Sequence, residues 1–199
     1  SGVNFTSQQK VAEAPKRSKF NVGKTILTVG LGGTALYSAL RHTLFVYPKS
    51  YKYLKYGLPA AGVALIGYGV YDAIKNKNKL KPAEPGTKKD YAKAMAAGSI
   101  VAATALPLNQ CISSSLISAR FSKSIKDFVN LFKSLLPQMK LYTQAMYGHM
   151  LSKIGIKNLS ANKTLLLGTV ALVGAGALVG AAVQGVNDLI IKFKNKKSA

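Results

Sequence analysis

Negative charge is what this chain has least of. Six acids, Glu13, Asp72, Glu84, Asp90, Asp127 and Asp188, face 28 Lys+Arg, for a formal charge of +22 at pH 7. A compact soluble body with that imbalance would repel itself unless an anionic partner neutralised it, so anionic lipid or nucleic acid is implied. The same scarcity bears on chemistry. Acid–base catalysis needs placed carboxylates, a histidine with an orienting partner, or a metal cluster. Here the acids fall in polar segments, at the ends of apolar stretches or on a polar helix face. His42 follows Arg41, and His149 stands among aromatics and methionines with no second ligand at metal spacing. The run Gly30-Leu31-Gly32-Gly33 lacks the Gly-Lys-Ser/Thr ending of a phosphate loop and lies inside an apolar stretch. The expectation is therefore a protein that is not an enzyme, with no catalytic or metal-binding residues, no cofactor and no small-molecule substrate. A single cysteine, Cys111, excludes an intramolecular disulfide and sits where a free thiol behaves as a small hydrophobe. Residues 1–19 have no apolar run of the kind a secretory signal carries. Their basic, acid-poor composition suits an organellar presequence, but Glu13 and Pro15 would spoil its amphipathic helix.

Apolar residues make up 48% of the chain and charged ones 17%, and the two kinds are segregated into alternating segments. Residues 164–187 carry no charge over 24 positions, where roughly 20 suffice for a helix to cross the hydrocarbon core. Small residues recur along this stretch, with Gly168, Gly176 and Gly180 as candidate helix-packing positions and Gly176/Gly180 forming a GxxxG pair. Residues 94–119 are also uncharged, but Pro107 stands at their middle and Asn109 and Gln110 follow it. A proline-kinked span is expected, with a re-entrant pair of half-helices as the alternative. The hydroxyls of residues 113–115 can return hydrogen bonds to the backbone. Two shorter stretches, 25–40 and 56–71, have 16 uncharged residues each, marginal for crossing unless flanking Lys and Arg snorkel and tyrosines anchor at the interface. A hairpin of two short spans is expected over 25–74.

From 121 to 154 the apolar residues follow helical spacing instead of running continuously. Phe121, Ile125, Phe128, Phe132 and Leu135 make one apolar face, Pro137 should end that helix, and Met139, Tyr142, Met146, Met150 and Ile154 stripe a second. Both suit the plane of a bilayer interface, or equally a protein surface. Between the second and third apolar stretches, residues 75–93 read as a solvated loop, with Pro82, Pro85 and Gly86 against regular structure.

These segments predict an all-α integral membrane protein of three to four transmembrane helices plus two amphipathic interfacial helices. In order they are a basic tail over 1–24, the hairpin over 25–74, a basic loop over 75–93, the proline-kinked span over 94–119, amphipathic helices over 120–160, a glycine-rich span over 161–187 and a basic tail over 188–199. If all four stretches cross, the side holding both termini carries sixteen Lys+Arg and the other twelve, so neither side is poor in cations. Contact with polyanion or lipid headgroups is expected at Lys16, Arg17, Lys19, Lys75, Lys77, Lys79, Lys81, Lys88, Lys89, Lys192, Lys194, Lys196 and Lys197. The expected partners are a bilayer, anionic in charge, other subunits of a large assembly, and nucleic acid bound without sequence readout. A structural protein of a membrane-containing particle, such as a virion with an internal membrane, fits this pattern first. A pore-forming, holin-like or fusion protein, or an accessory subunit of an organellar or bacterial membrane complex, are the alternatives.

Overall fold

The structure is a computed structural model that describes residues 21–42, 52–77 and 84–197. Five helices account for nearly all of them: α1 (Val22–Leu40), α2 (Lys52–Lys77), α3 (Lys88–Phe121), α4 (Ile125–Lys153) and α5 (Ala161–Lys197), with no strand among the described residues. Three are long and apolar enough to cross a membrane, at Tyr56–Lys75 and along α3 and α5. The expected all-α membrane architecture is what the chain adopts.

Local chemistry sets the helix ends. Asn21 caps α1 by accepting the Lys24 backbone N–H at 3.1 Å, and Ser124 caps α4 by accepting that of Asp127 at 3.1 Å. Asp90 accepts both the N–H (2.8 Å) and the hydroxyl (2.7 Å) of Thr87, and its charge in the first turn of α3 favours the helix dipole. Helix α3 therefore begins at Lys88, six residues before its uncharged run. At the end of α4, Gly155 adopts φ +86°, the Gly155 N–H donates to Ser152 and the Ile156 N–H to Leu151, the left-handed stop that glycine permits.

Several boundaries differ from the sequence expectation. Lys75 and Lys77 belong to the last turn of α2, and Lys88, Lys89 and Lys93 to the first turns of α3, so the 75–93 segment is mostly helix where described. Residues 188–197 are not a tail either. Helix α5 continues to Lys197, because no breaker interrupts it and lysines favour the C-terminal end of a helix dipole. Pro137 does not end a helix: α4 is one helix of 29 residues with Pro137 inside it, where two were expected. A proline removes one hydrogen bond and frees the carbonyl four residues earlier, here that of Lys133. Both residues are exposed, and no glycine or capping side chain stands nearby to stop the helix. Pro107 likewise lies within a continuous α3 rather than between two half-helices. Phe121 closes α3 and is separated from α4 by residues 122–124, so it does not share a helix face with Ile125, Phe128, Phe132 and Leu135.

The bundle is assembled from close pairs. Helix α1 lies between α2 and α3, α3 packs on α5, and α4 packs on both α3 and α5. Gly32 meets Gly62 and Leu65, and Gly69 meets Thr28, so α1 and α2 run antiparallel. Gly23 meets Lys93 and Ala94 while Gly30 meets Val101, so α1 and α3 run parallel. Gly180 meets Ala94 and Gly176 meets Gly98, which sets α5 antiparallel to α3. Packing is inverted relative to a water-soluble protein. Small and polar residues such as Ala94, Ala97, Ser114, Ser118 and Gln184 are buried, whereas Val63, Val70, Ile100, Leu166, Val170 and Leu178 (72% exposed) face outward. That arrangement buries apolar surface only if hydrocarbon surrounds it. Hydroxyls within the helices fold back accordingly: Thr34, Thr104, Ser115 and Thr169 each donate to the carbonyl four residues before.

Candidate functional site

The surface most able to act is the embedded bundle together with the charged layers at its two ends. Its central seam joins α3 to α5. On α5, Thr164, Gly168, Leu172, Gly176, Gly180, Gln184 and Asp188 stand four residues apart, and all but Leu172 are buried. Each step of four turns the helix by about 40° past a full circle, so the row winds and successive members meet different neighbours. Gly168 lies against the Tyr147 ring of α4, and Gly176 and Gly180 lie against the backbone of α3 at Gly98 and Ala94. The Ser99 hydroxyl donates to the Val173 carbonyl across the same seam at 2.9 Å. Backbones approach here because Gly98, Gly176 and Gly180 carry no Cβ at the contact, and such close packing is the main source of helix association in lipid.

The row ends in a polar knot. Asp188 Oδ1 accepts the Gly86 N–H at 2.9 Å and the Gln184 Nε2 at 2.9 Å, with Gln184 only 2% exposed. Tyr91 stands beside the same carboxylate, which holds its hydroxyl above the ordinary pKa. The segment entering α3 is thereby tied to the far end of α5. At the same end, Lys24 of α1 reaches Asp72 of α2 at 3.2 Å and lies 4.9 Å over the Tyr68 ring.

The helix directions sort the charges into two layers. One holds the start of α1, the end of α2, the start of α3 and the end of α5, so the exposed Lys75, Lys88, Lys89, Lys192, Lys194, Lys196 and Lys197 gather there. Lys77 ends α2 in this layer. Lys16, Arg17, Lys19, Lys79 and Lys81 lie outside the described residues. The other layer holds Arg41 and His42, and α5 brings Lys163 to it. Burial first and the Arg41 charge second hold the His42 imidazole below its ordinary pKa, against a smaller opposing pull from Asn109 of α3. From Lys24 to Arg41 is about 25 Å of helix, close to a hydrocarbon thickness of about 30 Å that snorkelling cations can bridge.

Sequence reading missed where α3 lies along this layer. Gly98 stands opposite Gly176 and Ala94 opposite Gly180; continuing that register brings Asn109 and Gln110 level with the start of the uncharged run of α5 at Thr164. The remainder of α3, through the serines 113–115, extends beyond that run. A signal was available in the small-residue row Ala94, Gly98, Ala102, which mirrors the row on α5. Cys111, exposed and the sole thiol, tests this placement. A maleimide unable to cross bilayers should label it in sealed vesicles from the side opposite the termini, and protection from both sides would put the residue in hydrocarbon and reverse the register.

Between α1 and α5 a shallow apolar cavity of about 380 Å³ is lined by Ile26, Val29, Gly30, Val183, Val186 and Ile190 among others. Among the described residues no cluster of three His, Cys, Asp or Glu is placed to hold a metal.

No known family, curated protein or solved structure matches this chain. The functional reading therefore rests on its own residues.

Proposed function

We propose that this is a structural membrane protein of a large membrane-containing assembly, in which α1, α2, α3 and α5 anchor the chain and lysines at both ends of the bundle meet anionic surfaces. The single observation that carries this reading is the pair of cationic layers bounding one inside-out helical bundle. Helix α1 serves as the fourth span although it is not among the three helices that qualify by length and composition alone, because it sits between α2 and α3 and turns few residues to lipid. A particle with a membrane inside a protein shell suits this best: one layer would neutralise packaged nucleic acid without reading its sequence, and the other would meet headgroups or shell protein. Mutual repulsion among +22 charges is then relieved on both faces. Fractionation of purified particles is the test. The protein should remain in the membrane fraction after carbonate extraction and cross-link to nucleic acid in intact particles, and its release by carbonate would end the proposal.

A second reading, a membrane-permeabilising protein, draws on the exposed apolar side of α4. It predicts release of a trapped dye from anionic liposomes, whereas the structural role predicts none.

A further inference from the structure

Helix α4 carries an apolar side that the other described residues leave uncovered. Its buried residues are Tyr147 and Leu151, near its C-terminal end. Over the first four turns Phe128, Leu131, Phe132 and Leu135 are half-buried, with the Phe128 and Phe132 rings stacked 6.3 Å apart. Ile125, Val129 and Leu136 are exposed, at 85%, 40% and 46% respectively. At about 100° per residue these three fall within roughly 40° of one another, forming a narrow stripe. Beside it run Lys126, Lys133 and Lys140, seven residues apart and all exposed. Asp127, the one acid of α4, points to the opposite side of the helix.

Where α4 begins matters as much as its faces. Helix α3 passes the end of the uncharged layer at Asn109 and Gln110, continues for three turns, and hands over to α4 through residues 122–124. The amphipathic helix thus starts on the outer side of the charged layer that holds Arg41 and Lys163. An apolar stripe with lysines along its flank buries methylenes at the acyl boundary while the ammonium groups stay among headgroups. Anionic headgroups complement those lysines in charge.

We propose that the Ile125–Val129–Leu136 stripe of α4 docks into the anionic headgroup region of the bilayer, on the face opposite the start of α1 and the end of α5, with Lys126, Lys133 and Lys140 paired to lipid phosphates. The proposal deepens the membrane reading above and rests on it.

The chain has no tryptophan, so a single introduced one reports its own surroundings. The full-length Val129→Trp variant, reconstituted in phosphatidylglycerol-containing vesicles, should be quenched more by lipids brominated near the headgroup than by lipids brominated at the chain ends. A Leu178→Trp variant, on the exposed face of α5, should show the reverse order. Replacing the anionic lipid by phosphatidylcholine should lower Val129→Trp quenching roughly two-fold or more. Lys126→Gln, Lys133→Gln and Lys140→Gln together should do the same in anionic vesicles. Quenching of Leu178→Trp but not of Val129→Trp would overturn the docking proposal, whether the second tryptophan were in water or covered by protein. Absence of quenching in both variants would overturn the membrane reading itself, and the docking proposal with it.

Discussion

A Gly176→Leu variant is expected to separate α3 from α5 and to lose several kilocalories of bundle stability. Even a methyl group at Gly176 would collide with the Gly98 carbonyl, with its carbonyl carbon at 2.7 Å and with the Ala102 side chain at 2.8 Å. Two of these obstacles are backbone, which cannot rotate away, so the helices must move apart. Overpacking in a tight core costs about 1–3 kcal/mol, and here the Ser99–Val173 hydrogen bond would go with it. The loss falls on the term that holds helices together in lipid, namely van der Waals contact between backbones. Gly174 supplies the control: it is exposed, with nothing within 4 Å of a Cβ, so Gly174→Leu should change stability by no more than about 0.5 kcal/mol. Thermal unfolding of both variants in the same mild detergent measures the difference. Equal midpoints would mean that the α3–α5 seam does not hold the bundle.

Asp188→Ala should loosen the opposite end of the same seam. The carboxylate accepts from Gly86 and Gln184, and removing it leaves the buried Gln184 amide without its acceptor. Stranding buried donors costs about 1–3 kcal/mol. The effect should be local, because what the bond fixes is the approach of residues 84–87 to α5. Hydrogen exchange of the Gly86 amide and faster tryptic cleavage after Lys88 and Lys89 report it directly. Asp188→Asn keeps an acceptor oxygen and should recover much of the protection; full protection in the alanine variant would show that Tyr91 and Gly86 are held by other contacts.

The sequence made the membrane architecture legible for a physical reason. Charge is expelled from hydrocarbon at high cost, so 164–187 and its lysine-bearing flanks announce themselves without any tertiary contact. The buried glycines of α5 were visible in the same way, since Gly168, Gly176 and Gly180 have no use for a lipid-facing surface. Proline was harder to read. Pro107 and Pro137 each remove one hydrogen bond, yet neither helix stops, because strong helix formers continue on both sides and no capping group competes. The Gly86–Gln184–Asp188 knot joins residues about a hundred positions apart, and nothing local in either segment signals it.

Alone, the sequence determined that these segments are helices, which of them are apolar enough to meet lipid, and that cations flank them on both sides. Those properties follow from side-chain transfer and backbone satisfaction, which are local. Only the tertiary structure decided the register of α3 along α5. An uncharged helix of 94–119 is longer than the layer it crosses and has no preferred position of its own; contact between Gly98 and Gly176 sets one, and leaves the serine-rich end of α3 and the start of α4 beyond the uncharged run of α5.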